Sequence, residues 1–141
     1  MLNIQREFMN MIENVNNWER AIEIAAKPLL KNGYIKSEYI NSMIENIHKN
    51  GSYIIIVPGF AMPHASPECG VLKTGISLLK LKNPVIFPGN NEIKLIIVLA
   101  SLSPDAHIDI IVELTDILAN EELMEKIYEC NSIDKIMELL K

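Results

Sequence analysis

The sequence predicts one α/β domain over residues 1–141, a mixed β-sheet with helices on both faces. Three observations support this fold class. Amphipathic helical patterns come first, strand-like runs occupy the middle of the chain, and helical patterns close it. The run Lys94–Leu102 is apolar along most of its length, which is typical of a strand buried on both faces. The 141 residues are 49% hydrophobic, which suits a single core.

The first helix is predicted from apolar residues at helical spacing and from its end signals. Asn16 and Glu19 have the spacing of a capping box, so the helix is expected to begin at Asn16. Pro28 lies inside the pattern and is expected to kink it, and Gly33 ends it. The preceding segment Glu7–Val15 is compatible with either a strand or a short helix.

The remaining elements are predicted from local composition and from turn residues such as Pro58-Gly59 and Asn83-Pro84. They are a helix with Ser37 as its N-cap and Asn50-Gly51 at its end, strands Tyr53–Val57, Thr74–Leu81, Val85–Phe87 and Lys94–Leu102, a helix capped by Ser103 with Pro104 at its first position, and helices Glu121–Tyr128 and Ile133–Leu140.

Charge and cysteine content narrow the function classes. The net charge is −5 and no basic stripe is present, which argues against a nucleic-acid partner. No uncharged, unbroken run reaches the ~20 apolar residues that a membrane-spanning helix needs. Cys69 and Cys130 lack a CxxC neighbour and are expected to be free thiols in a reducing cytosol, which predicts a cytoplasmic protein.

Three histidines, His48, His64 and His107, are the candidates for polar chemistry near neutral pH. His64 stands among three prolines and small residues, which would present an imidazole at the end of a strand in a fixed orientation. His107 falls in the first turn of the helix predicted after Ser103, where backbone N–H groups favour anions. Each has a structural alternative: His64 packing in a proline-rich loop, and His107 as an exposed or capping residue. His48 is interpreted as structural or solvated.

Other chemistries lack their motifs. There is no HxxxH or CxxC spacing for a metal, no Walker loop, and neither GxGxxG nor GxSxG. No metal and no cofactor are therefore predicted.

The segment Val57–Ala65, followed by Pro67–Val71 and Lys73–Leu79, resembles the active-site signature of mannitol/fructose-type enzyme IIA domains of the bacterial sugar phosphotransferase system. It is most similar to the ascorbate and galactitol-like branch, which carries a P-G-x-A-(M/L)-P-H-A pattern. The resemblance covers about Asn16 to Leu140, and it implies a mixed sheet between helices.

The resemblance implies a role for two histidines. His64 would accept a phosphoryl group from the phosphohistidine of HPr and donate it to a cysteine or histidine of an enzyme IIB. His107 would lie beside it and stabilise the transferred group. Association with a membrane enzyme IIC is compatible with this role. An apolar patch is expected around His64 for partner docking. Its candidate residues are Phe60, Met62 and Ala65.

Two alternatives stay open at this point. The first is a regulatory module of the same fold that accepts phosphate but is not coupled to transport. The second is a small metal-dependent hydrolase using His64, His107 and Asp105.

Two departures from the family pattern concern phosphate binding. Ser66 stands where the branch often has arginine, and Glu45–Lys49 stands where mannitol-type members place another. Electrostatic support is therefore expected from His107 and backbone N–H groups, with Lys73 or Lys49 as further candidates.

Overall fold

The computed structural model describes residues 4–51, 53–103, 105 and 108–140. Within these residues the chain forms five helices and a five-stranded sheet. The strands are β1 (Met9–Ile12), β2 (Ile55–Val57), β3 (Gly59–Ala61), β4 (Gly75–Phe87) and β5 (Asn91–Ala100), and the helices are α1 (Trp18–Lys31), α2 (Ser37–Asn50), α3 (Ile108–Leu118), α4 (Glu121–Glu129) and α5 (Ile133–Leu140).

The sheet is mixed, as predicted. Its strand order is β1-β4-β5-β3-β2, with β1 parallel to β4, β4 antiparallel to β5, β5 parallel to β3, and β3 antiparallel to β2. The central pair consists of the two longest strands, and six consecutive residues of each are buried. This burial on both faces explains why the part of β5 from Leu95 to Ala100 is continuously apolar instead of alternating.

Helices cover both faces of the sheet, as the hydrogen bonds of β4 demonstrate. The hydroxyl of Ser77 donates to the carbonyl of Ala25 in α1 at 2.5 Å. The ammonium of Lys80 donates to the carbonyl of Cys130, the C-cap residue of α4, at 3.4 Å. Residues separated by an odd number of positions point to opposite faces of a strand. The first and fourth helices therefore lie on opposite sides of β4.

The first helix begins one residue later than predicted. Asn17, not Asn16, is the N-cap, and its side chain accepts a hydrogen bond from the backbone N–H of Arg20 at 2.8 Å. The predicted capping box of Asn16 and Glu19 is therefore wrong. The helix ends at Lys31, and Gly33 follows with φ of +78°.

Pro28 lies within a continuous α1 and is buried. Because proline has no N–H, the carbonyl of Ile24 loses its helical donor. The side-chain amide of Asn10 in β1 donates to that carbonyl at 3.1 Å instead. Asn10 therefore ties α1 to β1, and it belongs to the segment whose sequence left strand and helix open. The structure decides for a strand at Met9–Ile12, preceded by a 3₁₀ turn at Arg6–Phe8.

Other elements also differ from the predictions. Strand β2 begins at Ile55 instead of Tyr53, and β5 spans Asn91–Ala100 instead of Lys94–Leu102. The predicted strands Thr74–Leu81 and Val85–Phe87 form one strand, β4, whose pairing with β5 shifts between Lys80 and Val85. Lys36, not Ser37, is the N-cap of α2. Short β3 was not predicted at all, because three residues carry too little pattern to identify a strand.

The last two helices follow the predictions, whereas α3 begins at Ile108, five residues after Ser103, its predicted cap. Helices α4 and α5 match them to within one residue. Pro104, predicted at the first position of α3, lies outside the described residues. Among the residues that are described, no helix combines the length and hydropathy needed to cross a bilayer.

Candidate active site

His64 lies three residues after the end of β3, on a segment that backbone hydrogen bonds hold from both sides. The N–H of Met62 donates to the carbonyl of Ile54 at 3.0 Å, and the N–H of Leu99 donates to the carbonyl of Pro63 at 3.1 Å. Pro63 itself is buried. The half-buried imidazole therefore stands at the end of a strand in a restrained backbone, as the sequence predicted.

The imidazole of His64 is oriented by its own backbone. Its Nδ1 lies 2.9 Å from the carbonyl oxygen of Met62. A carbonyl oxygen only accepts, so Nδ1 must carry the proton in this contact. The neutral ring then has its lone pair on Nε2, which is the arrangement that a nucleophilic imidazole requires.

Tyr53 packs against the ring of His64. The two ring centroids are 5.5 Å apart and the planes meet at 75°, an edge-on contact. The hydroxyl of Tyr53 donates to the carbonyl of His64 at 3.1 Å. Tyr53 is 43% exposed, so it forms part of the surface beside the histidine. Partial burial raises the pKa of its hydroxyl, which keeps this donor protonated at neutral pH.

A second tyrosine, Tyr39 of α2, reaches the same segment from inside the core. Its hydroxyl donates to the carbonyl of Leu99 at 2.8 Å and accepts from the N–H of Ala65 at 3.0 Å. Its side chain is fully buried, and desolvation raises its pKa to about 12. The hydroxyl therefore stays protonated at neutral pH and links Ala65, the residue after His64, to Leu99 near the end of β5.

His64 opens into a cleft of about 180 Å³. The described residues that line it are Tyr39, Met62, His64, Ala65, Pro67, Leu99, Ser101, Ser103 and Ile111. Ile111 belongs to the first turn of α3, so this helix borders the cleft close to its N-terminal end. No lysine or arginine stands among these lining residues. The described part of the lining is therefore small and contributes no lysine, arginine, aspartate or glutamate to the cleft.

A family model described as "Phosphoenolpyruvate-dependent sugar phosphotransferase system, EIIA 2" matches residues 3–141. The chain belongs to this EIIA family. Its members are phosphotransferase components, and the chain is accordingly a phosphocarrier of a sugar phosphotransferase system. The resemblance that the motif around His64 predicted is thereby confirmed.

Similar proteins and structures agree with this assignment. The mannitol-specific cryptic enzyme IIA component of Escherichia coli (strain K12) is 40% identical over 133 residues, which cover 94% of this chain and 90% of that protein. The ascorbate-specific EIIA component of Salmonella choleraesuis (strain SC-B67) is 28% identical over 128 residues, 89% and 83% of the two chains.

Two solved structures share the fold over nearly the whole chain. The solution structure of the mannitol-specific cryptic enzyme IIA from Escherichia coli has a TM-score of 0.90 at 38% identity and covers 96% of this chain and 93% of that one. The complex of mannitol enzyme IIA with phosphorylated enzyme IIB from Escherichia coli has a TM-score of 0.84 at 27% identity, with coverage of 98% and 96%.

The structure locates two of the three histidines of this EIIA chain. His48 is exposed near the end of α2, 4.9 Å from the ring of Trp18 and 3.5 Å from a carboxylate oxygen of Glu19, which agrees with its structural interpretation. His107 lies outside the described residues. Its predicted place beside His64 therefore remains a prediction.

The apolar patch predicted around His64 has different members. Phe60 and Met62 are buried in the core instead of exposed, and Ala65 is half-buried. Phe60 and its neighbour Ala61 are both fully buried in β3, a strand that the sequence did not identify. The exposed apolar side chains beside the cleft are Tyr53 and Leu102, the latter 52% exposed between two lining serines.

Several predictions about charge and metal chemistry can be compared with the described part of this EIIA. Lys49 and Lys73 are exposed and line no part of the cleft, and the ammonium of Lys73 lies 5.5 Å from the ring of Tyr34. No group of three His, Cys, Asp or Glu side chains that could hold a metal exists among the described residues. Cys69 and Cys130 are both free thiols, as predicted.

The sequence missed Tyr39 and Tyr53 as parts of the site. Tyr39 fits the apolar face of α2, and its partners are 26 and 60 positions away in sequence. No local signal indicates that its hydroxyl reaches the segment at His64.

Proposed function

We propose that residues 1–141 act as one cytoplasmic phosphocarrier domain in which His64 accepts a phosphoryl group from phospho-HPr and passes it to an enzyme IIB. The observation that carries this proposal is the hydrogen bond between Nδ1 of His64 and the carbonyl of Met62. That bond leaves Nε2 as the basic nitrogen of a ring whose cleft has no lysine, arginine, aspartate or glutamate among its described lining residues.

The transfer step requires little from the protein beyond placement. The lone pair of Nε2 attacks phosphorus, and the P–N bond of the donor phosphohistidine breaks with its electron pair returning to the donor imidazole. His64 becomes a phosphorylated imidazolium, whose positive charge is stabilised because Nδ1–H remains bonded to Met62. Onward transfer to a cysteine or histidine of enzyme IIB runs through the same geometry in reverse.

Charge on the three equatorial phosphoryl oxygens needs donors. The first turn of α3 borders the cleft and supplies the positive end of a helix dipole. We assign His107, which directly precedes Ile108 in sequence, to donate to the phosphoryl oxygens. The support for this role is the family resemblance.

Docking of both partner proteins uses the exposed apolar side chains near His64. Tyr53 and Leu102 flank the cleft, and Ile108 and Val112 are more than half exposed one turn apart on α3. Apolar side chains rimming a reactive group are typical of protein–protein contact surfaces. An enzyme IIB is supported as a partner by the solved complex of the mannitol enzyme IIA with phosphorylated enzyme IIB.

Phosphotransfer from phospho-HPr tests the proposal directly. The wild-type chain should take up one phosphoryl group per molecule, bound by an acid-labile P–N bond. Nitrogen-15 and phosphorus-31 NMR should assign it to Nε2 of His64. His64→Ala should not be labelled, whereas His48→Ala should be labelled like wild type because His48 lies away from the cleft. Labelling of His64→Ala would show that another residue is the acceptor.

His107→Ala tests the second histidine separately. We expect a folded protein that is still labelled but transfers its phosphoryl group to enzyme IIB more slowly, because one donor to the phosphoryl oxygens is gone. An unchanged transfer rate would remove His107 from the mechanism.

Coupling to transport, as opposed to a purely regulatory role, is tested by reconstitution. With HPr, enzyme IIB and membranes that contain the cognate enzyme IIC, the phosphorylated chain should drive sugar phosphorylation. A chain that is labelled by HPr but transfers to no enzyme IIB would instead be a regulatory module.

A further inference from the structure

The pairing of β3 with β5 continues beyond the end of β3. Phe60 faces Leu95 and Ala61 faces Ile96 in this parallel pair. The same offset places His64 opposite Leu99. The N–H of Leu99 donates to the carbonyl of Pro63 at 3.1 Å, which is the bond that a parallel ladder would make at this position.

A side-chain hydroxyl takes the place of the second backbone hydrogen bond that a parallel ladder would form at this position. In a parallel ladder, the carbonyl of Leu99 would accept directly from the N–H of Ala65. Here the hydroxyl of Tyr39 stands between the two groups. It accepts from the N–H of Ala65 at 3.0 Å and donates to the carbonyl of Leu99 at 2.8 Å. The two backbones are therefore held apart by the width of one hydroxyl group directly after His64.

The cleft lies where the backbones of Ala65 and Leu99 are held apart. Tyr39, Ala65 and Leu99, the three residues of this bridge, all line the cavity into which His64 opens. Full burial of Tyr39 and its pKa of about 12 keep the hydroxyl protonated, so the bridge persists at every physiological pH.

We propose that Tyr39 is a positioning residue for phosphoryl transfer, its hydroxyl inserted into the β3–β5 ladder to hold His64 and the cleft in their reactive geometry. This inference rests on His64 being the phosphoryl acceptor. Tyr39 itself forms and breaks no bond to phosphorus. Without the hydroxyl, the segment after His64 would either close onto β5 or lose its fixed distance from it.

Tyr39→Phe removes the hydroxyl and leaves the ring in the core. We expect labelling by phospho-HPr to slow by about tenfold or more, because a shift of about 1 Å in a reacting group is costly. The final stoichiometry should remain one phosphoryl group per chain, since the nucleophile is unchanged. Nitrogen-15 NMR of His64 should show a smaller fraction of the Nδ1–H tautomer than wild type.

Tyr128→Phe is the matched control. The hydroxyl of Tyr128 also donates to a backbone carbonyl of this segment, that of Pro58 at 2.7 Å, and burial likewise raises its pKa to about 12. Pro58 precedes β3, and neither Pro58 nor Tyr128 lines the cleft. This variant should lose stability but keep a labelling rate within about twofold of wild type, with the tautomer of His64 unchanged.

The outcomes separate this inference from the proposed function. If wild type is labelled at His64 but Tyr39→Phe reacts at the wild-type rate, the positioning role is refuted and the carrier function stands. An equal loss in both tyrosine variants also refutes it, since the effect would then be general destabilisation. If wild type is labelled elsewhere, the proposed function fails first.

Should Tyr39→Phe not fold, the bridge is tested in wild type. The hydroxyl proton of Tyr39 should exchange slowly with water and give a nuclear Overhauser effect to the amide proton of Ala65. A rapidly exchanging hydroxyl without that contact would refute the proposal.

Discussion

Replacing Gly59 by alanine probes the turn that leads into β3 and the segment of His64. Gly59 has φ of +86°, a conformation that costs an L-residue about 1–2 kcal/mol. A Cβ at this position would also lie 2.9 Å from Cζ and from the hydroxyl oxygen of Tyr128. Displacing a packed ring costs about 1–3 kcal/mol. We therefore expect Gly59→Ala to lower the free energy of unfolding by about 2–5 kcal/mol, the sum of these two ranges.

Gly33→Ala is the matched control for this substitution. Gly33 also has positive φ, at +78°, but a Cβ there would meet nothing within 4 Å. It should therefore cost only the conformational part, about 1–2 kcal/mol. The change in unfolded-chain entropy on replacing glycine by alanine is common to both variants and cancels in their comparison.

Urea unfolding at pH 7, followed by the fluorescence of the single tryptophan, Trp18, measures both variants. The excess cost of Gly59→Ala should disappear when Tyr128 is replaced by alanine, because the ring that the Cβ would strike is then absent. The reasoning is refuted if Gly59→Ala costs no more than Gly33→Ala, or if the excess persists without the ring.

Two further predictions concern α1 and the buried lysine. Asn17→Ala should destabilise the protein by about 1 kcal/mol, because it removes the acceptor that caps the N–H of Arg20. Asn16→Ala should change stability by less than about 0.5 kcal/mol. Thermal unfolding that finds Asn16→Ala the less stable of the two would contradict the structure. Burial of Lys80, and after it the nearby charge of Lys94, lower the pKa of its ammonium group in the folded protein. Between this lowered pKa and the ordinary value of 10.5, the unfolded chain binds more protons than the folded one. The free energy of unfolding therefore rises with pH in this range. Urea unfolding at pH 7.5 and 10 should therefore show that wild type gains stability with pH relative to Lys80→Met. An equal change with pH in both proteins would disprove the contribution of Lys80.

Most of the helices and the apolar part of strand β5 were predictable from the sequence because their signals are local. Apolar spacing fixes which face of a helix is buried, and a residue such as Gly33 ends it within one or two positions. The run that became β5 is apolar throughout because helices cover both faces of the sheet. The stiff, proline-framed segment at His64 was predictable for the same reason, since prolines restrict the backbone locally.

Other features depend on partners that are distant in the chain. Strand β3 has three residues and exists because β5 pairs with it. The proton on Nδ1 of His64 follows from its bond to Met62, only two positions away, but the backbone between them is held by Ile54 and Leu99 from other strands or their ends. The hydroxyl of Tyr39 meets groups 26 and 60 positions away.

The sequence alone therefore determined the α/β class, most of the helices, the family and the candidate histidine, because each is encoded by residue type and short-range spacing. Only the tertiary structure decided the order of the strands, which nitrogen of His64 is basic, and how Tyr39 separates the strands beside it. Hydrogen bonds between distant segments set the strand order and the place of Tyr39, and they also hold the backbone in which His64 reaches Met62, two positions away. Such bonds leave no periodic trace in the sequence.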